Sequence, residues 1–328
     1  MSTPGRDGAA TLQKQLKRRL RIVKQNLYLD VGGDHRSAVF LAGAGRSGTT
    51  WLADVLNHDH VYRDMYEPFN QTFVPEIRAF RRRQYLRPDN VEPRFVDGVR
   101  RIVCGQVRNR WIDQNNENVV CTRRLIKEVC ANLLLRWIYE RFPGMPILFV
   151  MRHPCAVARS RARLWRMDNT RNWLEQPDLI ADHLSPFMDL IQADLAPFER
   201  HLVDWCVENY VPLRMFGEGQ ICVLFYEDLC VDAAPVLERV SAFLGRPFDV
   251  PIERLRVPSK QAKSSGDGWS SAILTGASLI EDWRNHVTQT EIDHAMAILH
   301  RFGLDRIYTD ASMPRRDRVF ERATATAQ

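Results

Sequence analysis

Apolar positions fall along this chain in two rhythms. Short apolar runs such as Ala38-Val39-Phe40-Leu41 and Pro146-Ile147-Leu148-Phe149-Val150-Met151 are bounded by turn or charged residues. They predict buried strands over 38–43 and 146–151, with two more over 118–122 (Asn-Val-Val-Cys-Thr) and 220–226 (Gln-Ile-Cys-Val-Leu-Phe-Tyr). Between them, apolar residues recur at helical spacing, which predicts helices over 49–57, 128–142, 154–166, 232–244, 276–284 and 288–302 and a mostly helical stretch over 178–216. The long segment 58–117 carries few strand signals. Short buried strands alternating with amphipathic helices imply an α/β fold, a parallel β-sheet flanked by helices on both faces. In such a sheet, ligands bind beyond the carboxyl ends of the strands.

Composition narrows the class. With 328 residues, 45% hydrophobic and 26% charged, the chain has the balance of an ordinary globular protein with a large core. The formal charge of +6, mostly arginine, suits an anionic ligand, and no basic-aromatic pattern points to nucleic acid. The seven cysteines, at 104, 121, 130, 155, 206, 222 and 230, form no C-x-x-C pair. They suggest neither a zinc cluster nor a disulfide framework, and a reducing, cytoplasmic setting is the expectation. No apolar run reaches the roughly 20 residues that span a bilayer. Gln13 to Tyr28 reads as a basic amphipathic helix that packs on the domain, with peripheral membrane contact as the alternative. The expected organisation is a basic N-terminal helix and linker over 1–34, one domain over 35–310 with helical insertions, and a flexible tail over 311–328.

The chemistry concentrates at strand ends. Gly43-Ala44-Gly45-Arg46-Ser47-Gly48-Thr49-Thr50-Trp51 lies between the first strand and the first helix. A glycine-rich turn there aims backbone N–H groups and the positive helix end at one point, an anion site. Its span matches the G-x-x-x-x-G-K-[ST] loop of nucleoside triphosphatases, but Thr49 replaces the lysine that reaches the β- and γ-phosphates, and Arg46 sits inside the loop. Arg152 ends the 146–151 strand, Pro154 opens the next helix and Ser160 follows two turns on. An arginine and a hydroxyl so spaced suit a second anion. Two anion sites at different strand ends imply a ligand with two separated anionic groups.

On these residues the chain resembles the sulfotransferases that use 3′-phosphoadenosine 5′-phosphosulfate (PAPS), whose fold is P-loop NTPase-like. Gly45-Arg46-Ser47-Gly48-Thr49-Thr50-Trp51 is similar to that family's 5′-phosphosulfate loop. Val150 to Ser160 is similar to its 3′-phosphate segment, and Tyr226-Glu227-Asp228-Leu229 to the strand end bordering the adenosine. The resemblance spans roughly residues 37 to 308 with a variable middle. It implies PAPS as donor, 3′,5′-ADP as product, and no metal requirement.

The resemblance also implies roles. Arg46 would neutralise the bridging oxygen as its bond breaks; arginine here is the pattern of the carbohydrate and tyrosyl-protein branches, where the small-molecule cytosolic branch has lysine. Glu67, in Tyr66-Glu67-Pro68-Phe69, matches the general base of those branches, with His58 and His60 as rivals. Lys127 matches a lysine that holds sulfuryl or bridging oxygens. The Gly/Ser-rich stretch holding Ser259, Lys263, Ser264 and Ser265 corresponds to a loop over the cofactor, Lys263 or Ser264 touching its phosphates. The acceptor is read as a hydroxyl on a glycan, glycolipid or small molecule, with Arg78, Arg81, Arg82, Arg83 and Arg87 either serving an acidic acceptor or forming a solvated face, and Trp165 and Trp173 either stacking a sugar or filling the core. Two rival readings remain at this point: a P-loop nucleotide kinase or NTPase with a degenerate loop, and a non-catalytic nucleotide-binding protein of the same fold.

Overall fold

The computed structural model describes residues 27–164, 169–248, 250–255, 257 and 278–321. Two strands, β1 (Leu29–Asp30) and β4 (Val120–Cys121), pair in parallel as a small separate sheet. The main sheet holds β2 (Ala38–Gly43), β3 (Tyr62–Tyr66), β5 (Arg123–Glu128), β6 (Ile147–Met151) and β7 (Cys222–Phe225). Its order is β3-β5-β2-β6-β7, and every neighbouring pair is parallel. The first strand of this sheet is thus central, with later strands added on both sides of it.

Alternation along the strands sends side chains to two cores. Phe40, Ala42, Ile126, Ile147, Phe149 and Met151 face one layer, packed by α2 (Pro93–Val103), α3 (Leu135–Arg141), α4 (Pro154–Leu164), α5 (Thr170–Leu174), α6 (Pro197–Met215) and α9 (Gln289–Arg301). Val39, Leu41, Leu125, Leu148, Val150 and Leu224 face the other, covered by α1 (Thr49–Leu56) and α8 (Ala233–Leu244); α7 (Tyr226–Val231) follows β7 directly. Burial on both faces explains why these strands read as unbroken apolar runs.

Two strands of the main sheet escaped that reading. The expected strand 118–122 is only the short β4, and the sheet strand is Arg123–Glu128, in a stretch assigned to a loop and helix start; the helix expected from 128 begins at Leu135. Its charge concealed it: Arg124 is 1% exposed and donates to Asp30 Oδ1 at 2.6 Å and Oδ2 at 2.8 Å. β3, within the segment of few strand signals, buries Arg63 completely, its guanidinium 2.9 Å from Asp113 and 3.1 Å from Asp30. Such charges enter a sheet only when paired, and the partners lie far away in sequence.

The C-terminal expectation is also corrected. Beyond residue 310, Arg315 N–H donates to Ile307 O at 2.8 Å, Arg316 pairs with Asp228 at 2.6 Å and Val319 is buried, so residues to Glu321 pack on the domain. In place of a helix over 276–284, the described residues show a 3-10 turn, Asp282–His286. The basic segment before Leu27 and the loop with Lys263 and Ser264 lie outside the described residues, as does Trp165.

Candidate active site

Because the five strands are parallel, their carboxyl ends share one edge, and the residues that follow them meet there. β2 delivers the glycine-rich loop, β6 delivers Arg152, β7 delivers Tyr226 and β3 delivers Glu67, while Lys127 and Glu128 are the last two residues of β5. In register, Gly43 lies beside Val150 and Met151 beside Phe225, so the loop, Arg152 and Tyr226 leave the sheet side by side.

The loop turns through two left-handed residues, Arg46 (φ +76°) and Gly48 (φ +90°), before α1 begins. A Cβ on Gly48 would sit 2.5 Å from Cδ2 of Tyr226, so only glycine fits the turn beneath that ring. Trp51 meets Tyr226 edge-on at 5.7 Å, and the Arg152 guanidinium lies 4.3 Å above the Tyr226 ring. Arg152 Nη1 donates to Arg46 O at 3.3 Å, and Arg46 Nε donates to Ser160 Oγ at 2.9 Å. Among the described residues neither Arg46 nor Arg152 has a carboxylate within ion-pair distance. Partial loss of water, and the like charges of Arg152 and Arg161, push the Arg46 pKa down. Ser47 Oγ is buried with no hydrogen-bond partner. Converging guanidiniums without counter-charge, an orphaned buried hydroxyl and the first turn of α1 make a site for anions. The predicted set Gly45, Arg46, Ser47, Gly48, Thr49, Thr50, Trp51, Arg152, Ser160 and Tyr226 is therefore one contiguous cluster.

The second cluster flanks it. Lys127 Nζ is 2.5 Å from Glu67 Oε1 and 4.5 Å above the Tyr66 ring, with the lysine 2% exposed. Glu67 has φ +41°; its N–H donates to Lys127 O at 2.8 Å, and its carbonyl accepts from Trp111 Nε1 at 3.0 Å. Lys127 thus sits in a strand and not at a helix start, and it acts with Glu67 as a pair. Glu128 takes N–H groups from Phe69, Val129 and Cys130 at 2.8–2.9 Å, and burial, aided by the neighbouring Glu67 charge, pushes its pKa upward. His58 and His60 precede β3 whereas Glu67 follows it, so about 16 Å of strand separates them from this edge. His58 Nδ1 lies 3.1 Å from Val55 O, and His60 lies 3.7 Å from Glu117.

Several supporting residues had no signal of their own in the sequence. Arg161 Nε donates to Gly45 O at 3.1 Å and its Nη2 to Glu208 Oε2 at 2.6 Å. Glu227 accepts from His153 N–H at 2.8 Å and from Tyr308 OH at 2.9 Å, and burial pushes its carboxyl up to about 7. His153 stacks on Trp283 with ring centroids 4.3 Å apart, and burial lowers its pKa to about 3. Glu227 was legible only as part of a motif.

The acceptor-side expectations fare differently. Arg81 pairs with Glu175 at 2.6 Å, Arg83 with Glu208 at 2.5 Å, and Arg87 with Asp178 at 3.0 Å and Asp182 at 2.8 Å. Arg83 is 4% exposed and so belongs to the interior, while Arg78 is exposed and Arg82 half-buried. Trp173 is core, its Nε1 donating to Asp204 Oδ1 at 3.0 Å, which removes it as a sugar platform. Local spacing showed these arginines as a cluster; their acidic partners come from elements about 90–125 residues later in the chain.

Residues 38–250 match the family model described as "Sulfotransferase family". No curated protein matches the chain. Among solved structures it is similar to the sulfotransferase domain of the Synechococcus PCC 7002 olefin synthase, at 20% identity over 79% of this chain and 94% of that one, with a TM-score of 0.42. It is similar also to mouse sulfotransferase SULT7A1 complexed with PAP, at 14% identity over 86% and 88% of the two chains with a TM-score of 0.41. Sulfotransferase STF9 from Mycobacterium avium is 12% identical over 84% of this chain and 78% of its own, with a TM-score of 0.44.

Proposed function

The chain belongs to the sulfotransferase family, and from that premise we propose that it carries a sulfuryl group from PAPS to a hydroxyl acceptor by in-line displacement. The observation that carries the reading is the pair Arg46 and Arg152, both without carboxylate partners among the described residues, beside the buried, unpartnered Ser47 Oγ. These residues fit an anionic ligand. PAPS supplies an activated sulfuryl group at its 5′ end and a lone 3′-phosphate for binding.

Each residue then has a task. The loop from Gly45 to Thr50 binds the 5′ end, and Arg152 with Ser160 binds the 3′-phosphate. Tyr226 holds Arg152 in place by its ring face. As the acceptor oxygen bonds to sulfur, the bond from sulfur to the 5′-phosphate oxygen breaks. Arg46 neutralises the charge that collects on that oxygen, and Lys127 sits against the sulfuryl oxygens. The acceptor's proton passes to Glu67, whose direction is set by Lys127. The mechanism is metal-independent because guanidinium and ammonium groups supply the positive charge. The resemblance assigns further phosphate contacts to Lys263 and Ser264.

For the acceptor, we favour a carbohydrate or glycolipid hydroxyl. Its support is Arg46 and Glu67, which follow the pattern of the carbohydrate and tyrosyl-protein branches; Lys127 matches the tyrosyl-protein branch alone. A cytoplasmic setting is supported by seven unpaired cysteines, and no described helix is long and apolar enough to cross a membrane. The test is thermal stabilisation by 3′,5′-ADP against ADP with magnesium, then transfer from labelled PAPS to a panel of glycans, lipids and small alcohols. Stronger stabilisation by ADP with magnesium would replace this reading with a nucleotide kinase or NTPase.

A further inference from the structure

Behind the donor loop lies a set of buried charges that touches no reacting atom in the mechanism above. Arg161, in α4, is 1% exposed; Glu208, in α6, is 1% exposed. The Glu208 carboxylate accepts Arg161 Nη2 at 2.6 Å on one oxygen and Arg83 Nε at 2.5 Å on the other. Arg83 also donates to Asn169 Oδ1 at 3.0 Å, and its own backbone is left-handed (φ +53°). Glu208 thus fixes Arg161 from behind and turns Nε toward the loop, where it donates to Gly45 O at 3.1 Å.

That contact has a stereochemical consequence. In a trans peptide the C=O and the following N–H point in opposite directions, and the chain has no cis bonds among the described residues. A Gly45 carbonyl drawn back toward Arg161 therefore turns the Arg46 N–H away from the protein interior. The Arg46 N–H has no hydrogen-bond partner among the described residues. Without Arg161, the Gly45–Arg46 peptide is free to rotate and place a carbonyl where an anion needs a donor.

We propose that Arg161, anchored by Glu208, is a positioning residue that turns the Gly45–Arg46 peptide so that the Arg46 N–H faces the donor's 5′ anion. This rests on the PAPS reading of the site. It adds a determinant of donor affinity on the buried side of the loop and ties that loop, through the shared Glu208 carboxylate, to Arg83 in the segment between β3 and α2.

The substitution Arg161→Lys tests it. A lysine keeps a cation opposite Glu208, but it lacks the planar fork that serves the carboxylate and the Gly45 carbonyl together. Calorimetry should show affinity for 3′,5′-ADP reduced about ten- to a hundred-fold, with affinity for adenosine 3′-monophosphate, which has no 5′-phosphate, unchanged. Equal losses for both nucleotides mean general damage and overturn the proposal, as does no loss for either. A second measurement uses the wild-type protein, where folding is not at issue: the Arg46 amide should gain hydrogen-exchange protection with 3′,5′-ADP and none with adenosine 3′-monophosphate. An Arg46 amide left unprotected at saturation overturns the proposal while leaving the donor reading intact. Wild-type protein that binds neither nucleotide overturns the donor reading and this proposal with it.

Discussion

Replacing Glu67 by glutamine separates its two roles, partner of Lys127 and acceptor of a proton. The pair is short, 2.5 Å, with the lysine side chain 2% exposed and the glutamate 18% exposed. Stripping one partner from a buried ion pair costs about 3–5 kcal/mol. Two features reduce that here. A glutamine carbonyl still accepts from Nζ, and Lys127 retains the face of Tyr66 at 4.5 Å. A loss of about 1–3 kcal/mol is expected, lowering the melting temperature of a chain of 328 residues by about 1–4 °C. The kinetic effect is separate: an amide takes no proton, so turnover should fall about 10²–10⁴-fold, about 2.7–5.4 kcal/mol of barrier. Affinity for 3′,5′-ADP should be unchanged, because among the described residues Glu67 makes no hydrogen bond or ion pair to the glycine-rich loop. The assay is single-turnover transfer from labelled PAPS with the variant held well below its melting temperature. Turnover reduced less than about tenfold (1.36 kcal/mol) in folded, nucleotide-binding protein would refute the base assignment, and would leave Glu67 as a support for Lys127.

Other expectations follow from the same geometry. Gly48→Ala forces a left-handed alanine at a cost of about 1–2 kcal/mol and displaces the Tyr226 ring 2.5 Å from the new methyl; denaturant unfolding should show the destabilisation and calorimetry a weaker 3′,5′-ADP, and unaltered values for both would contradict the turn geometry. Arg152→Met and Ser160→Ala should weaken 3′,5′-ADP but leave adenosine 5′-monophosphate unchanged, and equal losses for the two nucleotides would place these residues elsewhere than the 3′-phosphate. Burial raises the Glu227 carboxyl from 4.5 to about 7, so between those values the native state keeps a proton that the unfolded chain releases. Its contribution is complete below about pH 4.5 and lost as pH rises through 7, a decline of about 3 kcal/mol. Urea titrations across that range should show the Glu227→Gln variant losing less stability than the wild type, and parallel pH profiles would refute the assignment.

Much of the site was legible because it is local. The glycine-rich loop needs a strand, a tight turn and a helix in succession, and all three occur within residues 38–56, so the spacing of glycines and apolar positions carries the information. Arg152 and Tyr226 were legible for the same reason, each following an apolar strand directly. The pairing of Glu67 with Lys127 was not, since 60 residues separate them and only the adjacency of β3 and β5 brings Tyr66 into register with Lys127. The arginine cluster between residues 78 and 87 was misleading in the opposite sense: closeness in sequence suggested a common surface, whereas Arg83 turns inward to Glu208 and Arg87 outward to Asp178 and Asp182.

By itself, the amino-acid order determined the parallel α/β architecture, the glycine-rich loop and the strand ends that carry Arg152 and Tyr226, because hydrophobic periodicity and turn chemistry act over a few residues. Tertiary structure alone decided where charge lies buried. Arg63 and Arg124 are strand residues only because Asp30 and Asp113 neutralise them, and Arg161 reaches the loop only because Glu208 holds it. A charged side chain read alone belongs in water, and only a partner supplied by the fold reverses the cost of taking it out.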